Sequence, residues 1–103
     1  MKDSIIINME YAQYDLIDGT PNVERHHCLM GPDRGKADED GLWVPLTKTH
    51  HTAGKISAHQ CREFRVLLEM LAQVSYERDR CAEGISKEEA REMFRKRYGR
   101  SFL

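Results

Sequence analysis

Helix signals are confined to the second half of the chain, and this segregation limits the possible folds more than any other feature. A capping-box pattern at 57–60 precedes apolar residues at three- and four-residue spacing, which predicts a helix running to about Arg80. A second capping box, Ser86 with Glu89, predicts a shorter helix that ends at Gly99. We expect one apolar stripe of each helix to enter the core: Phe64, Leu67, Leu68, Leu71 and Val74 or Ser75, then Ala90, Met93 and Phe94.

The first half of the chain carries short β-branched and aromatic runs separated by turn-forming residues. Three strands are predicted, at 4–9, 23–29 and 41–46, and Pro45 places the third run at a sheet edge or a strand end. The segment 31–40, rich in glycine, proline and charge, is predicted to be a loop. Strands followed by helices indicate an α+β fold, and 103 residues provide for one domain with one modest core.

Composition and charge exclude several classes of protein. A net charge of −1 with 40% hydrophobic and 32% charged residues is ordinary for a soluble domain and does not indicate a polyanion partner. The longest apolar run, 5–7, is too short to span a bilayer, and no signal peptide is recognisable. Three widely spaced cysteines, Cys28, Cys61 and Cys81, indicate free thiols in a reducing compartment, so we expect the cytoplasm of a host cell.

All five histidines lie between positions 26 and 59, as the pairs His26-His27 and His50-His51 followed by His59. Imidazole is the commonest metal ligand and the usual proton shuttle near neutral pH. A hairpin of the second and third strands, followed by a turn and the start of the first helix, would bring these side chains to one site. A divalent ion there would accept two or three imidazoles and leave positions open for water and a phosphate oxygen.

The same residues resemble the HNH, or ββα-metal, endonucleases, and within them a group of small phage-encoded proteins. The shared pattern comprises ERHHCL at 24–29, GLWVPL at 41–46 and TKTHH at 47–51, and the ending 94–103 is also similar. The resemblance implies one domain, 1–103, with an N-terminal strand and loop at 1–22, a small ββα-metal core at 23–60 and a helical part at 61–103. It further implies a metal-dependent DNA endonuclease or nickase of phage or prophage origin.

By position in the family pattern, His26, His51 and His59 correspond to metal ligands and His27 to the general base. His27 would remove a proton from a water molecule that attacks phosphorus, beside one divalent ion such as Zn²⁺, Mg²⁺, Mn²⁺ or Ni²⁺. Neighbours on a regular strand point to opposite faces, so His26 and His27 can share a site only at a strand end or a bulge.

The chain departs from the family pattern at the structural zinc site of many relatives. Tyr11 and Tyr14 stand where those relatives have a CxxC pair, and Thr47 replaces another cysteine. Tyrosine and threonine do not build a zinc cage, so the resemblance implies that the structural zinc is absent. His50 would then be left without a role.

A second departure concerns the asparagine of the HNH motif. No asparagine follows Asn22, so the residue that orients the base is missing. Asp33 or Asp40 is a candidate replacement, because a carboxylate can accept the imidazole N–H of His27 and fix its tautomer.

The segment 87–100 has six basic residues against three acidic ones, although the whole chain is nearly neutral. Arg91, Arg95 and Lys96 on the predicted second helix could therefore bind backbone phosphates. The alternative is a solvated helix face with Glu–Arg pairs at helical spacing.

Two further interpretations of the whole chain stay open. One is a catalytically weakened HNH-like domain that binds nucleic acid or inhibits a host protein, which the missing asparagine and cysteines favour. The other is a purely structural metal site of His26, His50, His51 and His59, although such sites usually recruit cysteine. DNA is the expected partner, with a host or phage protein as an alternative and no membrane; the oligomeric state is open.

Overall fold

The computed structural model describes residues 2–103, in which helices surround a two-stranded antiparallel sheet in an α+β fold. Strand β1 (Val23–His27) pairs with strand β2 (Trp43–Thr47), and His26 stands opposite Val44 in the register. Two of the predicted strands are thus confirmed, with their ends shifted by one or two residues. β2 is buried along most of its length, whereas β1 exposes its first half to solvent.

The segment between the strands was predicted to be a loop and instead holds helix α1 (Arg34–Asp40), after a 3₁₀ turn at Gly31–Asp33. Local composition misled this prediction, because the helix is anchored by the fully buried Ala37, a tertiary contact that composition does not record. Gly41 ends α1 with a φ of 71°, and a Cβ atom there would clash with the backbone oxygen of Asp3, so only glycine fits.

Residues 4–9 form no strand, which corrects the prediction for the N-terminus. The Ser4 hydroxyl donates to the carbonyl of Trp43 at 2.7 Å, and the Ile5 N–H donates to the carbonyl of Gly41 at 2.9 Å. These isolated bonds hold the segment against the start of β2 without a ladder. Ser4 Oγ also accepts a backbone N–H two residues further on, which bends the chain away from the strand direction.

Helix α2 (Arg62–Ala82) begins later than the capping pattern predicted. Ser57 Oγ does accept the Gln60 N–H, at 3.2 Å, but this bond closes a turn before the helix. Leu67, predicted for the core, is 61% exposed, and of the alternatives Val74 and Ser75 it is Ser75 that is buried, while Val74 is 48% exposed. The buried face of α2 is rotated away from them and consists mainly of Phe64, Leu68, Ala72 and Tyr76.

Helix α3 (Lys87–Tyr98) confirms the second capping box, since Ser86 Oγ accepts the Glu89 N–H at 3.1 Å. Gly99 ends the helix with a φ of 81°. Its buried face packs on α2 through Ala90, Phe94 and Tyr98.

The end of α3 is also tied to α1. Arg97 donates to both Glu39 and Asp40, and Lys36 Nζ donates to the carbonyl of Arg97 at 2.9 Å. These contacts hold α1 against the end of α3 and so fix the side chains that α1 presents. No helix within residues 2–103 is long and apolar enough to cross a membrane.

Candidate metal centre

Three of the five histidines, His26, His51 and His59, converge on one point. One ring nitrogen of each lies within 4.8 Å of those of the other two. The ring centroids are 5.1 Å apart for His26 and His51, 5.9 Å for His26 and His59, and 4.9 Å for His51 and His59. The structure therefore brings together the three residues that the family resemblance implies as ligands.

Three different elements supply these side chains. His26 lies on β1, His51 in a π-helical turn at Thr49–Ala53, and His59 in the turn before α2. We expected His51 and His59 to lie at the start of the first helix, but α2 begins only after both. The His59 N–H donates to the carbonyl of His51 at 3.1 Å, and the preceding residue makes the equivalent bond. These bonds fix the two turns relative to each other.

The π-helical turn depends on Gly54. The Gly54 N–H donates to the carbonyl of Thr49 at 2.8 Å, and a Cβ atom at Gly54 would clash with that same oxygen. Single π turns are rare and frequently mark functional sites. Here the turn directs His51 toward His26.

His26 is 2% exposed, and its Nε2 has no hydrogen-bond partner in the described part of the chain. Burial, followed by the nearby His51, His59 and His27, lowers the pKa of His26 to about 3. Burial, then His51 and Arg65, also lowers the pKa of His59. His26 is therefore neutral near pH 7, with a nitrogen lone pair free to bind a cation.

A carboxylate orients the His51 ring. His51 Nδ1 lies 3.0 Å from Glu24 Oε1. Since an ionised carboxylate only accepts, the neutral ring carries its proton on Nδ1 and its lone pair on Nε2. The contact leaves one nitrogen of His51 ready to act as a ligand.

His27 is the last residue of β1 and lines the same cleft as His26. The strand end meets the condition under which two neighbouring residues can share a site. The cleft has a volume of about 250 Å³ and also contains His51 and His59. His27 Nε2 lies 3.0 Å from Asp38 Oδ1 on α1, so Asp38 can fix the His27 tautomer.

The predicted orienting acids, Asp33 and Asp40, take other positions. Asp40 accepts bonds from Arg97 and Tyr98 and belongs to the link between α1 and α3. Asp33 precedes α1 and makes no side-chain capping bond. Sequence reasoning missed Asp38, because its approach to His27 depends on a helix that was expected to be a loop.

The basic residues predicted on α3 do not line the histidine cleft. Arg95 is paired with Glu92 of the same helix at 3.2 Å, as the solvated-face alternative expects, whereas Arg91 is paired at 3.2 Å with Glu77 of α2. Lys96 lies on another part of the surface with Tyr76 and Arg97.

Two arginines do line the cleft, Arg25 and Arg34. The Arg25 guanidinium lies over the Trp43 ring at 4.2 Å, which stiffens its side chain. Arg34 is exposed in the first turn of α1. The cleft thus combines imidazole nitrogens with fixed positive charge.

His50 lies outside the cluster and has a role that the sequence did not predict. Its Nδ1 lies 2.9 Å from Oδ2 of the buried Asp15, which also accepts the N–H and hydroxyl of Thr47. Asp15 Oδ1 accepts the N–H groups of Ile17 and Asp18. The fourfold metal site of His26, His50, His51 and His59 is therefore not formed.

Asp15, Asp18 and His50 also have potential ligand atoms within 4.8 Å of one another. However, five hydrogen bonds already occupy the Asp15 carboxylate, which has roughly four lone-pair sites. Burial acts to raise the pKa of Asp15, but the bonds from Thr47, His50 and Ile17 outweigh it and hold the pKa at about 2. Asp15 therefore has a structural role: its hydrogen bonds connect the N-terminal segment to the end of β2 and to His50.

Comparison of the chain with protein-family models, with curated protein sequences and with solved structures finds no match. The candidate function therefore rests on the geometry of the cleft.

Proposed function

We propose that the chain is a metal-dependent nuclease of the HNH, or ββα-metal, type, which cleaves or nicks DNA and derives from a phage or prophage. The observation that carries the proposal is the convergence of His26, His51 and His59 in a cleft that also holds His27 against Asp38. The antiparallel pairing of β1 with β2, and the helical turn carrying His51 that follows β2, further support a ββα-metal core, into which α1 is inserted between the strands.

The residues present fit a divalent ion. His26 offers a buried nitrogen without a partner, and the Glu24 contact leaves a lone pair on His51. Neutral imidazoles suit Zn²⁺, Ni²⁺ or Mn²⁺ better than Mg²⁺, which prefers oxygen. Three protein ligands beside an open cleft are typical of a catalytic site, whereas structural zinc is enclosed by four.

The reaction proposed is hydrolysis of a phosphodiester bond, with His27 as general base. Asp38 accepts a hydrogen bond from the Nε2–H of His27, which leaves the lone pair on Nδ1. Nδ1 then takes a proton from water, and the resulting hydroxide attacks phosphorus in line. The bond from phosphorus to the 3′ oxygen breaks, the departing oxygen is protonated by solvent, and a 5′-phosphate remains. Asp38 stabilises the imidazolium, and Arg25 and Arg34 bind the neighbouring phosphate oxygens. The ion would supply a Lewis-acid charge beside the reacting phosphate.

A plasmid-nicking assay with untagged protein tests the proposal. Supercoiled DNA is incubated with the protein and Zn²⁺, Ni²⁺, Mn²⁺ or Mg²⁺ in turn, and the new ends are checked for 5′-phosphate. We expect cleavage with at least one of the first three ions and loss of cleavage in His27→Ala. Tight metal binding without cleavage by any ion would instead support the weakened HNH-like binding domain.

A further inference from the structure

The outer face of α2 carries an apolar stripe that the domain itself leaves uncovered. Leu67 is 61%, Met70 37% and Val74 48% exposed, and their spacing of three and four residues places them on one side of the helix. The stripe lies opposite the face that packs into the core. Leu67, which the sequence pattern assigns to the core, belongs to this exposed stripe instead.

Charged residues of opposite sign flank this α2 stripe. Glu63 lies one turn before Leu67, and Arg78 lies one turn after Val74, both exposed and on the same side of the helix. Arg78 donates one N–H to the carbonyl of Ile5 at 2.9 Å, which leaves further donors of its guanidinium available. From the start of α2 to its end, this side of the helix therefore carries an acidic residue, then the apolar stripe, then a basic residue.

We propose that the α2 stripe is the interface of a homodimer, in which α2 of one copy packs antiparallel on α2 of a second copy. A two-fold axis beside Met70 places Leu67 of one copy against Val74 of the other and Glu63 against Arg78. The Glu63–Arg78 ion pair then forms twice, once on each side of the axis. A parallel arrangement would place Glu63 against Glu63 and Arg78 against Arg78, so the charges select the antiparallel order.

The surface beside Val74 favours this arrangement. Val74 and Arg78 line an open groove between α2 and α3, with a volume of about 630 Å³, and the half-exposed Leu103 forms part of its wall. In the proposed dimer, the side chain of Leu67 from a second copy packs beside Val74, at the edge of this groove. The inference does not depend on the proposed nuclease activity, because no residue of the stripe lines the histidine cleft.

Sedimentation velocity over a concentration series, with the full chain, tests the dimer. We expect a concentration-dependent dimer that Leu67→Lys converts to monomer while the circular dichroism spectrum and the melting temperature show a folded chain. Ile56→Lys is the matched control, because Ile56 is equally 61% exposed but lies outside α2, and it should leave the dimer intact. A monomer at all concentrations, or a dimer that survives Leu67→Lys, would overturn the proposal.

Charge reversal tests the antiparallel order. Glu63→Arg and Arg78→Glu should each raise the dimer dissociation constant by about tenfold, because each creates two like-charge contacts. The double variant restores both pairs in the opposite sense and should recover the original dissociation constant. A double variant as weak as the single variants would contradict the proposed packing.

Discussion

Asp38 Oδ1 on α1 lies 3.0 Å from Nε2 of His27, the last residue of β1. This contact assigns the His27 proton to Nε2 and leaves Nδ1 as the basic atom. In the proposed nuclease, Asp38 would orient the base in place of the asparagine that the HNH motif has and this sequence lacks.

Asp38→Asn should lower the nicking rate by about 10- to 100-fold, because an amide can donate to His27 and favour the wrong tautomer. Metal content should stay unchanged, since Asp38 does not contact the three clustered histidines. Asp33→Asn is the matched control and should nick at the original rate. Equal activity of the two variants would show that Asp38 does not orient His27.

His50→Ala should reduce the free energy of unfolding by about 1–3 kcal/mol, because it removes a bond to a buried carboxylate. Urea denaturation in the presence of a chelator measures this loss without a contribution from bound metal. Thr49→Ala changes the exposed neighbour and should have little effect. An unchanged denaturation midpoint in His50→Ala would show that His50 has no structural role, as the sequence suggested.

The pKa of Asp15 predicts how stability depends on acid. The folded-state pKa of about 2 lies below the ordinary value of 3.8, so the carboxylate stabilises the fold at pH values above about 4. As the pH falls from about 4 to 2, roughly 2 kcal/mol of stability should be lost through this group. Asp15→Asn should be less stable at pH 6 and should lack this acid-dependent part, as denaturation at several pH values would show. Parallel pH profiles for both proteins would contradict the assignment.

The elements that the sequence predicts correctly are those specified by nearby residues. The Ser86 cap needs only the N–H of Glu89, and β2 is marked by its own Trp43, Val44 and Thr47. Helix α1 was missed because its stability comes from burying Ala37 and from the ion pairs of Arg97.

The residues of the candidate site also separate into those that the sequence predicts and those that it does not. His26, His51 and His59 were found because their number and spacing stand out in the sequence and because they resemble a family pattern. Asp38 and Asp15 were missed, since nothing near either residue in the sequence indicates its partner. Contacts between Asp15 and His50, 35 positions apart, become visible only in the folded chain.

The cleft, and not α3, should carry the salt-dependent contacts to DNA. Arg34→Ala should reduce the slope of log affinity against log salt by about one, as expected for one lost phosphate contact. Changing Arg91, Arg95 and Lys96 together to Ala should leave that slope nearly unchanged, because two of the three are paired with Glu77 and Glu92. Fluorescence anisotropy with a duplex oligonucleotide measures both, and a reduced slope in the triple variant alone would restore α3 as the phosphate-binding surface.

Metal stoichiometry of untagged protein, measured by inductively coupled plasma mass spectrometry after saturation with Zn²⁺, Ni²⁺ or Mn²⁺ and desalting, tests the central claim most directly. The geometry predicts about one tightly bound ion per chain in the original protein and in His27→Ala, and almost none in His51→Ala, since His51 is a ligand and His27 is not. A full equivalent of metal in His51→Ala, or its loss in His27→Ala, would contradict the assignment of His26, His51 and His59 as one metal centre with His27 as its base.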